Sequence, residues 1–398
     1  MINVMNILYL SDIPFNPNYG GIERVTDSIV RILVSRGYNI YYLCGKIKDT
    51  KILNYDFPVP VVTMPDLGLF SSKKNIDFYI SFIKNNNINI VINQRGLEND
   101  FNASLIKIPG VKYISVIHSM PLAYMYSAIY SYTLPTHNYK DKIKNYIKRC
   151  FKPIYKFQKI RIHKIMQKKH YEDLISKSHL VVILSEKFKK DFVFLDMNVP
   201  QEKIIAIPNP NSFRKLSNEF AGKRNVIMFS GRLSPEKNPM ALLQAWKRIY
   251  RQLPTWELWF VGDGDQLDNI RKYISKNNLE RVVLCGRCSN MIDYYHQARI
   301  VCLTSYYEGW GMALTEGMQY GCVPVAFDSY ASASDIIDDG VNGILVTPFK
   351  IKELSDVLRR LANDEALLRQ YAKAAYEKTF QYDVSVVADK WEQALLSI

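Results

Sequence analysis

Two glutamates eight positions apart, Glu308 and Glu316, bracket a glycine-containing turn within the stretch YYEGWGMALTEGMQYGCVPVAF. The pattern after this turn predicts a helix that begins near Gly311 and is followed by a buried strand. Glycine lets the backbone approach a ligand closely, and N–H groups at the start of a helix bind anions such as a diphosphate. The residues expected to offer these groups are Gly311, Met312, Ala313 and Leu314.

The two carboxylates restrict the kind of anion that such a site can hold. Negative side chains beside a bare diphosphate would repel it. The conflict disappears if the ligand also carries hydroxyl groups, because carboxylates accept hydrogen bonds from sugar hydroxyls while backbone amides hold the phosphates. A nucleotide-sugar supplies both kinds of group, so the pattern predicts a nucleotide-sugar site.

Cations for the diphosphate are expected from a second stretch, FSGRLSPEKNP. Arg232 offers a planar fork to phosphate oxygens and Lys237 a point charge, and both can neutralise a leaving diphosphate. A third stretch, NPNYGGIER, follows a predicted strand near the amino end and opens a helix. Its Gly20 and Gly21 would let backbone N–H groups reach the same phosphates.

Two patterns that resemble metal sites are given structural interpretations. GDGD, residues 262–265, has the D-x-D form of some metal-dependent enzymes, but it opens a predicted helix, where acids act as caps. CGRC, residues 285–288, is a single C-x-x-C without a second pair. We therefore expect no metal and no cofactor. The six cysteines show no framework spacing, which favours a reducing compartment.

The elements that must position these residues follow a strand–helix repeat. Continuous runs of Val, Ile and Leu, such as NINIVINQ and NVIMFSG, are typical of parallel strands covered on both faces. The repeat predicts an α/β fold with two Rossmann-like doubly wound domains that face each other across a cleft. The predicted ranges are 1–215 for the first domain, 216–380 for the second, and 381–398 for a helix that returns to the first.

Positive charge is concentrated in one part of the chain. The net charge is +14, and residues 140–169 hold 12 Lys or Arg and one acid. They belong to a predicted insertion at about 123–170, where apolar residues recur at near-helical spacing, as in helices that lie on anionic lipid headgroups. A solvated helix pair packed on its own domain is the alternative.

No nucleic-acid motif accompanies this charge, so nucleic acid is not an expected partner. The amino end lacks the features of a signal peptide, and no apolar run is long enough to span a membrane. We therefore expect a cytoplasmic protein that is peripheral on the inner face of the cell membrane.

Together these motifs resemble those of the family-4 retaining glycosyltransferases of the GT-B fold. The resemblance rests on GGIER, GRLSPEK, VGDGD and the E-x7-E block, and it is densest over residues 225–347. It implies that Glu308 hydrogen-bonds the donor sugar near the reacting carbon and that Glu316 binds the ribose hydroxyls. It also implies that Arg232 and Lys237 hold the diphosphate.

The same resemblance implies roles for three further residues. His118, at the end of YISVIHS, matches the family's histidine near the donor sugar, and it also stands where a predicted strand ends. Gly286 and Arg287 match the loop that lines the nucleobase slot. The predicted catalytic residues are therefore His118, Arg232, Lys237 and Glu308.

The implied activity is a retaining, metal-independent transfer of a hexosyl or N-acetylhexosaminyl unit from a nucleotide-sugar. A UDP-sugar is the expected donor, with a guanosine donor left open. The expected acceptor is a hydroxyl of a lipid-linked or cell-surface saccharide. A nucleotide-sugar epimerase of the same architecture and a non-catalytic nucleotide-sugar-binding protein are the alternatives. An epimerase would change the sugar without any acceptor.

Overall fold

The structure of the protein is a computed structural model that describes residues 5–11, 20–45, 56–66, 68–94, 108–130, 152–211, 213, 222–288 and 290–398. The chain divides into two compact units. The units comprise Met1–Pro121, Lys164–Ser212 and Tyr382–Ile398 for the first, and Leu122–His163 and Phe213–Gln381 for the second. The predicted domain boundary at 215/216 lies outside the described residues, as does much of the predicted basic insertion.

A seven-stranded parallel sheet forms the centre of the first unit, in the order β3-β2-β1-β4-β5-β6-β7. Its strands are β1 (Asn6–Ser11), β2 (Asn39–Cys44), β3 (Val61–Thr63), β4 (Ile90–Asn93), β5 (Lys112–Ile117), β6 (Leu180–Ile183) and β7 (Ile204–Ala206). All residues of β4 and β6 are buried, as expected for strands covered on both faces.

A six-stranded parallel sheet forms the centre of the second unit, in the order β10-β9-β8-β11-β12-β13. Its strands are β8 (Val226–Ser230), β9 (Glu257–Val261), β10 (Val282–Gly286), β11 (Ile300–Leu303), β12 (Val323–Phe327) and β13 (Ile344–Val346). The sequence did not predict β13, a short apolar run between a glycine and a Thr-Pro pair. The two sheets confirm the predicted α/β class with two doubly wound domains.

Helices follow most strands in both units. In the described residues they are α1 (Gly21–Ser35), α2 (Lys73–Asn85), α3 (Ala123–Tyr130), α4 (Lys152–Lys177), α5 (Lys189–Phe194), α6 (Pro239–Ile249), α7 (Leu267–Lys276), α8 (Ile292–Gln297), α9 (Met312–Gln319), α10 (Ala333–Ile336), α11 (Ile351–Asn363), α12 (Glu365–Lys378) and α13 (Val384–Leu396). Among these helices none combines the length and the apolar composition needed to cross a membrane.

The last helix, α13, packs on the first unit. Trp391 is buried in the same core cluster as Ile29 of α1. Arg36, just after α1, forms ion pairs with Asp389 (Nη1–Oδ1 2.7 Å) and with Glu392. Buried apolar side chains and ion pairs therefore both join α13 to the region of α1, although more than 300 residues separate the two helices in sequence.

In the second unit, the loops that follow β8 and β9 continue to pair beyond the strands. Gly231 N donates to Val261 O at 3.0 Å, and Leu233 N donates to Asp263 O at 2.9 Å. The approach is so close that a Cβ on Gly262 would lie 1.9 Å from Gly231 O. Glycine at 262 is therefore required by space as well as by its φ of +149°.

We expect Gly262→Ala to destabilise the second unit by about 2 kcal/mol more than Gly340→Ala, because only the former adds a backbone collision to backbone strain. Gly340 is a matched control: its φ is +74°, and a Cβ there would meet nothing nearer than Tyr371 Oη at 4.0 Å. Thermal unfolding of the two variants measures the difference. Equal melting temperatures would show that the two loops can separate at no cost.

Candidate functional site

The loop that leaves β11 and enters α9 carries the first predicted acid, Glu308. Gly311 precedes α9 with φ +101°, a left-handed conformation that favours glycine. Further along, Gly317 lets α9 lie close to β11, since a Cβ there would be 2.8 Å from Val301 Cγ1. One glycine at its start and one against the sheet therefore fix the position of α9.

The first turn of α9 corrects one prediction. The N–H of Leu314 donates to Gly311 O at 2.9 Å, so this group is not available to an anion as the sequence had suggested. The reason is local, because helix ends often tighten into bonds between residues three apart. Met312 and Ala313, whose side chains are half-buried, stay the predicted anion-binding positions of this turn.

Glu308 is only 9% exposed, and three hydrogen bonds hold its carboxylate. Lys237 Nζ donates to Glu308 Oε1 at 2.6 Å and to Oε2 at 2.7 Å, while Ser305 Oγ donates to Oε1 at 2.6 Å. A nearly buried carboxylate is tolerated only when it is paired and hydrogen-bonded. The predicted sugar-binding acid and one predicted phosphate-binding cation therefore neutralise each other in this structure.

Backbone contacts bring together the loops that carry Lys237 and Glu308. Tyr306 N donates to Glu236 O at 2.8 Å, and Thr304 Oγ1 donates to Asn238 O at 2.9 Å. These bonds join the loop after β8 to the loop after β11. Since β8 and β11 are adjacent parallel strands, their carboxyl ends lie at one edge of the sheet, where ligands bind in such folds.

Arg232, the other predicted phosphate ligand, lies at the start of the loop that ends in Lys237. Its side chain is exposed, while that of the next residue, Leu233, is fully buried. The buried leucine and its backbone bond to Asp263 anchor the loop at this point. A rigid backbone thus carries a cation whose side chain extends toward solvent.

Glu316 is 4% exposed and lies in the second turn of α9. Tyr295 Oη donates to its Oε2 at 3.0 Å, and Ser230 Oγ lies 3.0 Å from the same Tyr295 oxygen. Glu316 is thus linked through a buried hydroxyl to the last residue of β8. The two acids therefore have different contacts: Glu308 is paired with a cation, and Glu316 accepts a hydrogen bond from the buried Tyr295 hydroxyl.

Tyr330 lies beneath the start of α9. A Cβ on Gly311 would lie 3.4 Å from its hydroxyl, so the glycine leaves room for this ring. Burial raises the pKa of Tyr330 well above its ordinary value, and the negative charge of Glu308 raises it further. The hydroxyl therefore keeps its proton at neutral pH.

Gly286 is the last residue of β10, and Arg287 begins the loop that follows it. Gly286 has φ +70°, and its carbonyl accepts a hydrogen bond from Gly262 N at 2.8 Å. The loop of Gly286 is thereby joined to the loop after β9, which in turn contacts the loop of Arg232. Arg287 is exposed. Its role in contacting a nucleobase stays a prediction.

In the first unit, His118 directly follows β5. Its Nε2 lies 2.5 Å from Oε1 of Gln94, which directly follows the adjacent strand β4. Both side chains line a narrow pocket together with Tyr9, Asn209 and others. The position at the carboxyl ends of two parallel strands is the one that the sequence predicted for this histidine. Its contact with a donor sugar stays a prediction.

The helix start at Gly20 and Gly21 already has an acid beside it. A Cβ on Gly20 would lie 2.4 Å from Oε2 of Glu23, a residue only 7% exposed. The φ of Gly20 is −158°, so the glycine serves close approach to this carboxylate, not a left-handed turn. A carboxylate in the first turn stabilises the helix dipole and opposes the predicted binding of a phosphate there.

The GDGD segment does not cap α7 with its acids, contrary to the sequence-based expectation. The residue before α7 is Gln266, which makes no capping hydrogen bond through its side chain. Asp263 Oδ1 instead accepts from Gly264 N at 2.8 Å, because the acid lies too far before the helix to reach its first turn. Within the described residues, no group of three or more His, Cys, Asp or Glu could hold a metal ion.

Sequence reasoning missed two hydroxyl residues that contact the predicted acids, Tyr295 and Ser305, and a third, Ser230, that contacts Tyr295. Only Ser305 carried a signal, because it stands three residues before Glu308 at the end of a predicted strand. Tyr295 lies in a short helix between strands, where a buried aromatic side chain predicts packing rather than a hydrogen bond to a distant acid.

We expect the effects of Lys237→Met and Glu308→Gln on thermal stability to be strongly non-additive. Each single variant breaks the pair, and Lys237→Met also leaves a nearly buried carboxylate unneutralised. The loss of unfolding free energy in the double variant should be about 1–3 kcal/mol smaller than the sum of the losses in the two single variants. Unfolding of the parent and the three variants measures this coupling, and additive effects would show that the pair contributes nothing.

Residues 212–378 match the model of the family described as Glycosyl transferases group 1. The chain is 31% identical over 188 residues to the amylovoran biosynthesis glycosyltransferase AmsD of Erwinia amylovora, covering 46% of this chain and 52% of AmsD. It is 31% identical over 217 residues to an exopolysaccharide phosphotransferase of Streptomyces coelicolor, covering 54% of this chain and 23% of that protein. The chain thus matches about half or less of the length of these curated relatives.

Among solved structures, the chain is similar to Anabaena HepE in complex with UDP and glucose, with a TM-score of 0.74 and 18% identity. The similarity covers 99% of this chain and 100% of that chain. At this identity the likeness shows the fold, which is of the GT-B type. The family match thus concerns residues 212–378, whereas the shared fold extends over nearly the whole chain.

Proposed function

We propose that the protein is a family-4 retaining glycosyltransferase that needs no metal. It moves a hexosyl or N-acetylhexosaminyl unit from a UDP-sugar to a hydroxyl of a lipid-linked or cell-surface saccharide. The observation that carries the proposal is the contact of Lys237 with Glu308 at 2.6 Å beside the start of α9. This contact places the lysine proposed to bind the diphosphate and the glutamate proposed to bind the sugar at the same edge of the sheet.

Donor binding exchanges the partners of Lys237. The diphosphate brings negative charge to Lys237, to Arg232 and to the N–H groups at the start of α9. The carboxylate of Glu308 then accepts hydrogen bonds from sugar hydroxyls, while Ser305 keeps hold of Oε1. Attraction of the cation to the donor therefore compensates for the loss of its bond to Glu308.

In the transfer step, the bond from the anomeric carbon to the diphosphate oxygen breaks and a bond to the acceptor oxygen forms on the same face. The positive charge on the sugar is of the oxocarbenium kind, which carboxylates stabilise. The departing phosphate oxygen takes the proton of the acceptor hydroxyl. Glu308 positions the sugar and stabilises its charge, while Arg232 and Lys237 stabilise the leaving group.

His118 is proposed to contact the donor sugar. Its bond to Gln94 orients the ring, because a histidine nitrogen that is already hydrogen-bonded fixes the role of the other. The proposal rests on its position after β5 and on the family resemblance. A His118→Ala variant would lower the rate of transfer without weakening the binding of UDP alone.

The choice of donor and acceptor is supported by proteins of similar fold and sequence. HepE, which shares the fold, binds UDP and glucose. AmsD takes part in the biosynthesis of amylovoran, and another curated relative, 26% identical over 216 residues, acts on a glycan linked to undecaprenol through a diphosphate. An epimerase is not favoured, because these relatives transfer sugars.

A lipid-linked acceptor requires access to a membrane, and α4 offers a surface for it. Ile162, Ile165 and Met166 are 56%, 61% and 61% exposed, and their spacing puts them on one face of the helix. The residues that flank this stripe include Arg161 and Lys169, both exposed. An apolar stripe with basic edges is typical of helices that lie on anionic headgroups, so we propose a peripheral, cytoplasmic protein.

The proposed activity predicts that Glu308→Gln and Arg232→Ala each lower kcat/KM for sugar transfer by roughly 100-fold or more, because each removes charge stabilisation. Arg360→Ala, an exposed change on α11, is the control and should transfer sugar like the parent. The assay offers UDP-sugars and saccharides linked to undecaprenyl diphosphate. NMR of the product should show the anomeric configuration of the donor, and EDTA should have no effect.

A donor-only incubation separates the alternatives. Isomerised nucleotide-sugar without an acceptor would point to an epimerase, and binding without any turnover would point to a non-catalytic protein. Full activity of both site variants would contradict the proposed roles of Glu308 and Arg232.

The proposed membrane surface predicts that replacing Ile162, Ile165 and Met166 with serine weakens binding to vesicles. With vesicles of phosphatidylcholine and phosphatidylglycerol, we expect a loss of roughly 100-fold, because three apolar side chains leave the interface. Val283→Ser, which changes an apolar residue 40% exposed in the second unit, is the control. Sedimentation with vesicles measures both, and equal binding of all forms would contradict the surface.

A further inference from the structure

We propose that Tyr295 is a positioning residue that sets the orientation of the Glu316 carboxylate for recognition of ribose hydroxyls. The inference rests on the proposed function and concerns how the same site distinguishes a ribonucleotide from a deoxyribonucleotide. Tyr295 carries no charge and is fully buried, so it acts only through Glu316.

The direction of the hydrogen bonds around Tyr295 follows from their chemistry. An ionised carboxylate only accepts, so the Tyr295 hydroxyl donates to Glu316 Oε2 at 3.0 Å. The same oxygen can then accept from Ser230 Oγ, also at 3.0 Å. The resulting chain runs from Ser230 through Tyr295 to Glu316. It engages one carboxylate oxygen and so fixes the rotation of the carboxylate about its last bond.

Tyr295 itself is held on two sides. Its ring stacks on that of Tyr320, with centroids 6.3 Å apart and planes within 8° of each other. Its carbonyl accepts from Lys223 Nζ at 2.7 Å and from Cys322 Sγ at 3.3 Å. The hydroxyl therefore cannot follow the carboxylate if Glu316 rotates, and a rotation would break the bond.

A carboxylate in a fixed orientation discriminates better than a mobile one. If a nucleotide lacks the hydroxyl that Glu316 receives, a buried acceptor loses its partner, and that loss is costly. A carboxylate that can rotate finds other partners and reduces the penalty. The bond from Tyr295 therefore favours ribonucleotides over deoxyribonucleotides, in addition to supporting the fold.

The test compares affinities of the parent and Tyr295→Phe for UDP, 2′-deoxy-UDP and 3′-deoxy-UDP by calorimetry. We expect Tyr295→Phe to weaken the binding of UDP by roughly 3- to 30-fold, because a hydrogen bond to a charged group is lost. The affinity for the analogue that lacks the recognised hydroxyl should change much less. The preference for ribose should therefore fall, which a purely structural role would not produce.

Two further variants complete the design. Tyr294→Phe makes the same chemical change on the adjoining residue and should keep the preference of the parent. Ser230→Ala removes only the donor to the Tyr295 oxygen and should reduce the preference in the same direction but by less. If Tyr295→Phe does not fold, Ser230→Ala decides the question through its own ratio of affinities for UDP and for the deoxy analogue.

The outcomes separate this inference from the proposed function. If the parent binds UDP and the variants keep its full preference for ribose, the role of Tyr295 is wrong. The proposed function is not contradicted by that outcome. If the parent binds GDP in place of UDP, the deoxy analogues of GDP give the same comparison. A parent that binds neither UDP, GDP, ADP nor dTDP would overturn both proposals.

Discussion

Lys237 and Glu308 come from loops that follow two adjacent strands, β8 and β11, and their charged groups meet at 2.6 Å. The Glu308 carboxylate could not be placed alone in so dry a position, since an unpaired buried carboxylate is strongly unfavourable. The pair thus requires both loops to adopt their observed conformations together. In the proposed function a diphosphate replaces Glu308 as the partner of the lysine, so the same constraint would keep the site ordered before the donor binds.

The backbone beneath this pair is held by glycines that permit close approach. The loop after β8 is paired with the loop after β9 so closely that a Cβ on Gly262 would collide with Gly231 O. The loop after β9 is in turn bonded to Gly286 at the end of β10, where the next loop begins. Three neighbouring loops are therefore joined through their backbones, and the exposed Arg232 rests on this rigid base. Precise placement of charged groups depends on such support.

The sequence predicted the fold class and nearly every strand, because fully buried parallel strands leave continuous apolar runs that periodicity detects. It did not predict β13, or the capping of α7, which depends on a turn before the helix. At the site, acids and cations were visible as residue types. The contacts of Ser305 and Tyr295 were not, because hydroxyl and aromatic residues are common and only the packing of separate elements makes them partners.

The two acids of the site lie eight residues apart, yet their surroundings suit them to different tasks. Glu308 is neutralised by a cation, Lys237, that in the proposed function a donor diphosphate attracts away. Glu316 is held by the hydroxyl of a fully buried tyrosine that cannot move. Paired carboxylates acquire separate roles when their environments differ. A replaceable partner suits the role proposed for Glu308, near a reacting carbon where charge develops, and a permanent one suits the role proposed for Glu316, the recognition of a nucleoside.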